Sequence, residues 1–263
     1  QISYVQSGVS PEPQVICPNK FSSADKTLRA DEDFVVSSEQ KFASDRVAFE
    51  AIGLVQKAKM LDTESSRLGF RSSLEVIQPF VYDHDVFVNA GNTGAFVVHC
   101  LQVDGKNIFY LSLGLGGMGN SIGAGLGSCF VSRNESKKKT YVFLGDGSFL
   151  MYGLEIHTAV EHQLPIVFLI FNNNSHGMCS TREEIFLHGR SQINDFRPSY
   201  FANGLAEMFP SLRCFEVATS AELHRAMAES QLAEGPSVIS MQIHDNELPP
   251  FLSFQKIKPL EKT

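Results

Sequence analysis

Two short stretches hold the residue types most able to do chemistry. One is Leu144-Gly145-Asp146-Gly147-Ser148 and the other is Phe171-Asn172-Asn173-Asn174-Ser175-His176-Gly177-Met178. Asp146 supplies a hard carboxylate, Asn173 an amide oxygen, and the chain near Ser175 a backbone carbonyl. Mg²⁺ demands a near-octahedral shell of such oxygens and completes it with phosphate oxygens and water. The pattern therefore suits a diphosphate held through a divalent metal. Gly145 and Gly147 allow a close backbone approach, and the helix start after Ser148 offers N–H groups to an anion.

The flanking pattern places both stretches. Thr140 to Leu144 is a β-branched and aromatic run that leads into the Gly-Asp-Gly turn. Tyr152 to Gln163 is amphipathic, and Pro165 to Phe171 is a second apolar run. Strand, turn, helix, strand makes a βαβ unit, whose crossover is almost always right-handed. Both polar turns then lie at the carboxyl ends of neighbouring parallel strands, where open α/β sheets bind ligands.

With these residues in place, the sequence resembles the diphosphate-binding (PP) domain of thiamine diphosphate-dependent enzymes. That signature is Gly-Asp-Gly, about two dozen residues, then Asn-Asn; here residues 148 to 171, 24 in all, separate Gly147 from Asn172. Ser148-Phe149, Leu164-Pro165 and Gly177-Met178 make it most similar to the acetolactate synthase and 2-oxoacid decarboxylase branch. The resemblance covers roughly residues 70–250. It implies a doubly wound parallel α/β sheet with helices on both faces. It also implies thiamine diphosphate and Mg²⁺ as cofactors, with Asp146, Asn173 and Ser175 as metal ligands. Gly145, Gly147, Ser148, His176, Gly177 and Met178 would stand around the diphosphate.

Further segments fit the same frame. Asp85 to Asn89 is a strand followed by Ala90-Gly91-Asn92-Thr93-Gly94. Asn92 and Thr93 match a diphosphate-contacting loop, or else form an ordinary polar turn. Residues 114–127 are glycine-rich. Small residues at Gly123, Ala124 and Gly127 suit a helix packed on a sheet. The preceding Gly114-Leu115-Gly116-Gly117-Met118-Gly119 resembles the family loop beneath the aminopyrimidine. By that resemblance the Gly116 carbonyl accepts from the 4′-amino group, and Met118 wedges between the cofactor rings. After Asn174 the chain resembles a segment that closes over substrate. Arg182 there either meets an acceptor's anionic group or faces solvent, and His176 either shuttles a proton or serves as a capping or surface residue.

Elsewhere, Ser37-Ser38-Glu39-Gln40 and Ser72-Ser73-Leu74-Glu75 have capping-box spacing. The first opens an apolar stripe from Phe42 to about Met60, and the second a short helix that Pro79 helps to end. A helix is expected from Asp195 to Phe209, a strand from Arg213 to Val217, a helix capped by Ser220 to Ala233, and a strand from Ser237 to Ile243. This divides the chain into an arm and helix (1–70), the PP domain (71–245) and a tail (246–263).

Composition bounds the function. A net charge of −7 argues against nucleic acid as a partner. No apolar run is long enough to span a bilayer, and there is no signal-peptide pattern. Five scattered cysteines without CxxC spacing suggest reduced thiols and a cytoplasmic setting.

The resemblance also implies something absent. Family members activate the cofactor with a glutamate on a separate pyrimidine-binding (PYR) domain, and residues 1–70 have no second α/β pattern. The first expectation is the PP subunit of a split enzyme, a heterodimer or heterotetramer with a PYR subunit, acting on a small 2-oxo acid as a decarboxylase or carboligase. The alternatives are a fragment of a longer synthase, a non-catalytic thiamine diphosphate-binding or assembly subunit, or the β subunit of a 2-oxoacid oxidoreductase.

Overall fold

The computed structural model describes residues 67–105, 107–112, 115–132, 138–244 and 247–250. The expected cap at Ser37-Gln40, the stripe from Phe42 to Met60 and the end of the tail lie outside the described residues. Among the described residues six parallel strands form one sheet: β1 (Asp85–Val88), β2 (Phe109–Leu111), β3 (Thr140–Gly145), β4 (Ile166–Asn172), β5 (Arg213–Val217) and β6 (Ser237–Gln242). Their order is β2-β1-β3-β4-β6-β5. β3 and β4 are buried almost end to end. That accounts for their unbroken apolar character, since a central parallel strand is covered on both faces.

The helices among the described residues are α1 (Phe70–Val81), α2 (Asn92–Cys100), α3 (Asn120–Ser132), α4 (Asp146–Tyr152), α5 (Ile156–Glu161), α6 (Gly177–Leu187), α7 (Phe201–Met208) and α8 (Ser220–Leu232). One face of the sheet buries Leu74 and Ile77 of α1, Phe96 of α2, and Leu223 and Met227 of α8. The other buries Ile122 and Leu126 of α3, Ile156 of α5 and Leu205 of α7. On the first face Phe70 stacks on Phe96 at 4.6 Å and on Phe171 at 5.3 Å between ring centroids. This stack anchors α1 close to the end of β4.

The chain leaves β1 for β2 on one side and returns to β3 on the other. The crevice at the carboxyl ends of β1 and β3 is therefore a topological switch point, the favoured place for a ligand. α2 and α4 both begin there.

Several local expectations shift. α1 starts at Phe70, because the Gly69 N–H donates to Ser72 Oγ (3.2 Å) and Ser73 Oγ donates to the Gly69 carbonyl (2.6 Å). Ser72 thus acts from inside the helix, and Pro79 lies within it, two residues before its end. The amphipathic stretch from Tyr152 is not one helix. α4 begins at Asp146 itself, a 3₁₀ turn spans Gly153–Glu155, and α5 ends at Glu161. The Phe149 ring lies so close that a Cβ on Gly153 would meet it at 2.5 Å. β2 was not evident in the pattern, being only three residues long.

The glycine of α3 that packs on the sheet is Gly125, whose Cβ would lie 2.7 Å from Val142 Cγ2. Gly123 and Gly127 face outward. Thr219, not Ser220, caps α8, accepting from the Glu222 N–H at 3.3 Å. Residues 195–200 are not helical, and α7 begins at Phe201. They are held extended against the end of β4: the Phe196 N–H donates to the Asn174 carbonyl (2.7 Å), Asn172 Nδ2 to the Ser199 carbonyl (2.7 Å), and the Ser199 N–H to Asn174 Oδ1 (3.0 Å).

Candidate cofactor and metal site

Three strand ends build the site. β3 delivers Gly145 and Asp146, β4 delivers Asn173 to Ser175, and the loop after β1 delivers Asn92 and Thr93. Gly145 pairs with Phe171 across the ladder, so the two motifs arrive level. A cavity of about 240 Å³ opens there. Asn92, Thr93, Met118, Gly145, Asp146, Gly147, Ser148, Asn173, Ser175, His176, Gly177 and Met178 all line it. Gly116 and Arg182 do not. Gly116 sits in the same loop as Met118 with φ +67, and Arg182 is exposed on α6.

Asp146 is 2% exposed. Its Oδ1 accepts from the Gly147 N–H (2.8 Å) and its Oδ2 from the Ser175 N–H (3.0 Å). Burial pushes the carboxyl up to about 6, against the backbone N–H groups that pull it down. A desolvated carboxylate whose oxygens accept from backbone N–H groups, with no cationic side chain among the causes that shift it, is suited to a cation.

Asn173 sharpens the point. One end of its amide lies 3.2 Å from Asp146 Oδ2 and 2.9 Å from the Ser175 carbonyl. The two ends of an amide are told apart only by their partners. If nitrogen stands there, it donates to both oxygens. If oxygen stands there, three acceptors converge with no proton between them, and only a cation makes that stable. Adjacent oxygens on a Mg²⁺ octahedron lie about 2.9 Å apart, given metal–oxygen distances of about 2.0–2.1 Å. The spacing fits that shell, so Asp146, Asn173 and the Ser175 carbonyl are suited to hold the metal. Asn92 Oδ1 at the cavity wall is a further buried acceptor with no hydrogen-bond partner among the described residues.

Glycine makes the room. A Cβ on Gly177 would fall 2.8 Å from Asn173 and 2.9 Å from Asn92. On Gly147 it would fall 2.7 Å from His176 Nδ1. His176 is held edge-on against Phe196, 4.6 Å between centroids. The His176 backbone N–H donates to the Asn194 carbonyl at 2.9 Å.

The sequence reading did not single out Asn89, or Phe70, Met151 and Cys179 at the cavity wall. Asn89 is fully buried and hydrogen-bonds both the Gly-Asp-Gly-Ser stretch and the loop of Met118. A polar residue closing the apolar run at 86–88 was the available signal. Phe70, Met151 and Cys179 carry no local signal, because tertiary packing brings them in.

Residues 89–241 match the family model described as thiamine pyrophosphate enzyme, C-terminal TPP binding domain. The chain is 31% identical over 116 residues to a pyruvate decarboxylase of Aspergillus parasiticus, covering 41% of this chain and 19% of that protein. It is 28% identical over 150 residues to the acetolactate synthase large subunit of Porphyra purpurea, covering 56% of this chain and 24% of that protein. The chain thus spans a quarter or less of these relatives. A benzoylformate decarboxylase structure from Polynucleobacter necessarius superposes with a TM-score of 0.61 at 20% identity, over 67% of this chain and 33% of that one. That likeness speaks to the fold.

Proposed function

The chain belongs to the thiamine pyrophosphate enzymes through their C-terminal TPP-binding domain, and on that premise we propose that it is the diphosphate-binding subunit of a thiamine diphosphate- and Mg²⁺-dependent enzyme. Its reaction is decarboxylation of a small 2-oxo acid, with the remaining unit released as an aldehyde or transferred to an acceptor. A separate PYR subunit supplies the activating glutamate. The observation that carries the reading is the convergence of Asp146 Oδ2, the Asn173 amide and the Ser175 carbonyl at one end of a cavity.

When bound, thiamine diphosphate supplies the electron sink for loss of CO₂. The chain's own residues bind and orient it. Asp146, Asn173 and the Ser175 carbonyl would hold the metal, and Ser148, Asn92 and Thr93, which line the cavity, would face the diphosphate. Met118 stands at the wall where an apolar side chain can shape the bound rings. Its flexible, polarizable thioether suits such contact. Met118→Ala is expected to lower kcat more than cofactor affinity, and full turnover in the complex removes that role.

Two features support a partner. Among the described residues, Asp146 is the sole carboxylate at the cavity wall, and it is committed to the metal turn. Beside the cavity, α4 and the turn after it leave Leu150, Met151, Tyr152 and Leu154 53–64% exposed. Clustered exposed apolar side chains of this size mark interaction surfaces. Met151 belongs to both the cavity wall and this surface.

Native mass spectrometry of the chain isolated from its source tests the proposal. The expected species is a stoichiometric complex with a second chain, carrying thiamine diphosphate. A homo-oligomer that holds cofactor and never turns over a 2-oxo acid contradicts it and favours a non-catalytic binding subunit.

A further inference from the structure

We propose that Asn89 is a positioning residue of the cofactor site, one that fixes the Ser148 hydroxyl as a hydrogen-bond donor to an anionic oxygen in the cavity. The inference rests on the diphosphate reading above. It follows from a short chain of donor and acceptor identities.

Asn89 closes β1 and is fully buried. Its backbone is hydrogen-bonded on one side and closely approached on the other. Its N–H donates to the Phe143 carbonyl at 2.9 Å, and its own carbonyl lies 2.6 Å from where a Cβ on Gly94 would stand. Its side chain reaches two motifs that are distant in sequence. The Gly119 N–H lies 3.1 Å from Oδ1, and Nδ2 meets Ser148 Oγ.

A backbone N–H can only donate, so the end of the amide facing Gly119 must be the oxygen. The end facing Ser148 must then be the NH₂ group, which only donates. Ser148 Oγ therefore accepts from Asn89, and the hydroxyl proton must point elsewhere. Ser148 is 3% exposed and lines the cavity. No other hydrogen bond of its hydroxyl occurs among the described residues. The proton is directed to a ligand oxygen that carries no proton, as a diphosphate oxygen does. The same amide holds Gly119, and with it the adjoining Met118, at a fixed distance from the Gly-Asp-Gly-Ser stretch. Gly119 has φ +83, and the Tyr152 ring approaches it so closely that no side chain fits there.

The test is a double-mutant cycle read by calorimetry, using the full chain with Mg²⁺ and thiamine diphosphate as the probe. Asn89→Asp keeps an acceptor for Gly119 but gives Ser148 a second acceptor, which turns the hydroxyl proton away from the cavity. Ser148→Ala removes the proton outright. Each is expected to weaken binding at least about tenfold. Added negative charge at residue 89 acts alike in both backgrounds, whereas loss of the directed proton cannot occur twice. The loss caused by Asn89→Asp is therefore expected to shrink at least about threefold when Ser148 is already alanine.

Factors that multiply, or Ser148→Ala binding as wild type, overturn the inference. So does a fall in Tm for the residue 89 variant with affinity unchanged, which is what a merely structural role gives. If Asn89→Asp does not fold, Asn89→Ser enters the same cycle with the same criterion. A wild-type chain that binds the probe neither alone nor in complex with its partner subunit overturns this inference and the proposed function together. Wild-type binding with a multiplicative cycle overturns this inference alone.

Discussion

The two ends of the sheet are equally buried and differently matched. At the amino end of β3, Lys139 is buried and donates its Nζ to the Ala233 carbonyl. The Lys139 N–H donates to His84 Nδ1 at 3.2 Å, and Asp85 Oδ1 accepts from the Ile108 N–H at 2.9 Å. Donors and acceptors there meet one another, and each pairing ties one element to another. Among the described residues the hydroxyls of Tyr141 and Ser237 are buried there without hydrogen-bond partners, but a neutral hydroxyl carries its own proton. At the carboxyl end, a carboxylate, a carbonyl and an amide crowd together, and Asn92 adds a buried acceptor with no hydrogen-bond partner among the described residues. Matched buried polar groups fasten a fold. Mismatched ones hold a place for something the chain does not itself supply.

This contrast can be broken at either end. The largest effect is expected from Asp146→Ala, which should abolish Mg²⁺-dependent thiamine diphosphate binding by calorimetry. Relief of a buried carboxylate offsets the hydrogen bonds lost, so Tm should move by less than about 4 °C. Unchanged affinity in this variant removes the metal role of Asp146. Gly177→Ala comes next. Its methyl group must displace Asn173 or Asn92, and an affinity loss of about tenfold or more is expected while urea unfolding stays near wild type.

The amino end should respond in the opposite way. Lys139→Met leaves the Ala233 carbonyl unpaired, so unfolding free energy should fall by roughly 1–3 kcal/mol with cofactor affinity intact. A loss of affinity there would mean that the two ends are coupled. The smallest effect is a pH slope. Burial holds the His84 pKa below its ordinary 6.5, outweighing the pull of Asp83. The unfolded chain then binds the proton first as pH falls, so stability due to His84 is present above about pH 6.5 and declines below it. His84→Gln should flatten urea midpoints between pH 7 and 5, and an unchanged slope assigns the decline to other groups.

Much of the site was legible because its residues sit at strand ends announced by period and punctuation. The apolar runs into Gly145 and Asn172 locate the carboxyl edge, and the spacing between them fixes one βαβ unit. Asn173 and Asp146 could therefore be paired from sequence. What escaped depended on contacts between distant segments. The extended run at 195–200 follows from hydrogen bonds to Asn172 and Asn174, which override a helix-like pattern. Gly125 rather than Gly123 packs on the sheet because helix phase, not glycine content, decides which side faces Val142. Phe70 reaches the cavity through a stack with Phe96 and Phe171 that no local pattern encodes.

The most direct measurement is anomalous scattering from crystals of this chain grown with Mn²⁺ and thiamine diphosphate, Mn²⁺ standing in for Mg²⁺. The account predicts one strong peak bounded by Asp146 Oδ2, the Asn173 amide oxygen and the Ser175 carbonyl. Absence of a peak there, with the Asn173 nitrogen bridging the two oxygens, would contradict it and make the carboxyl edge as self-sufficient as the amino edge.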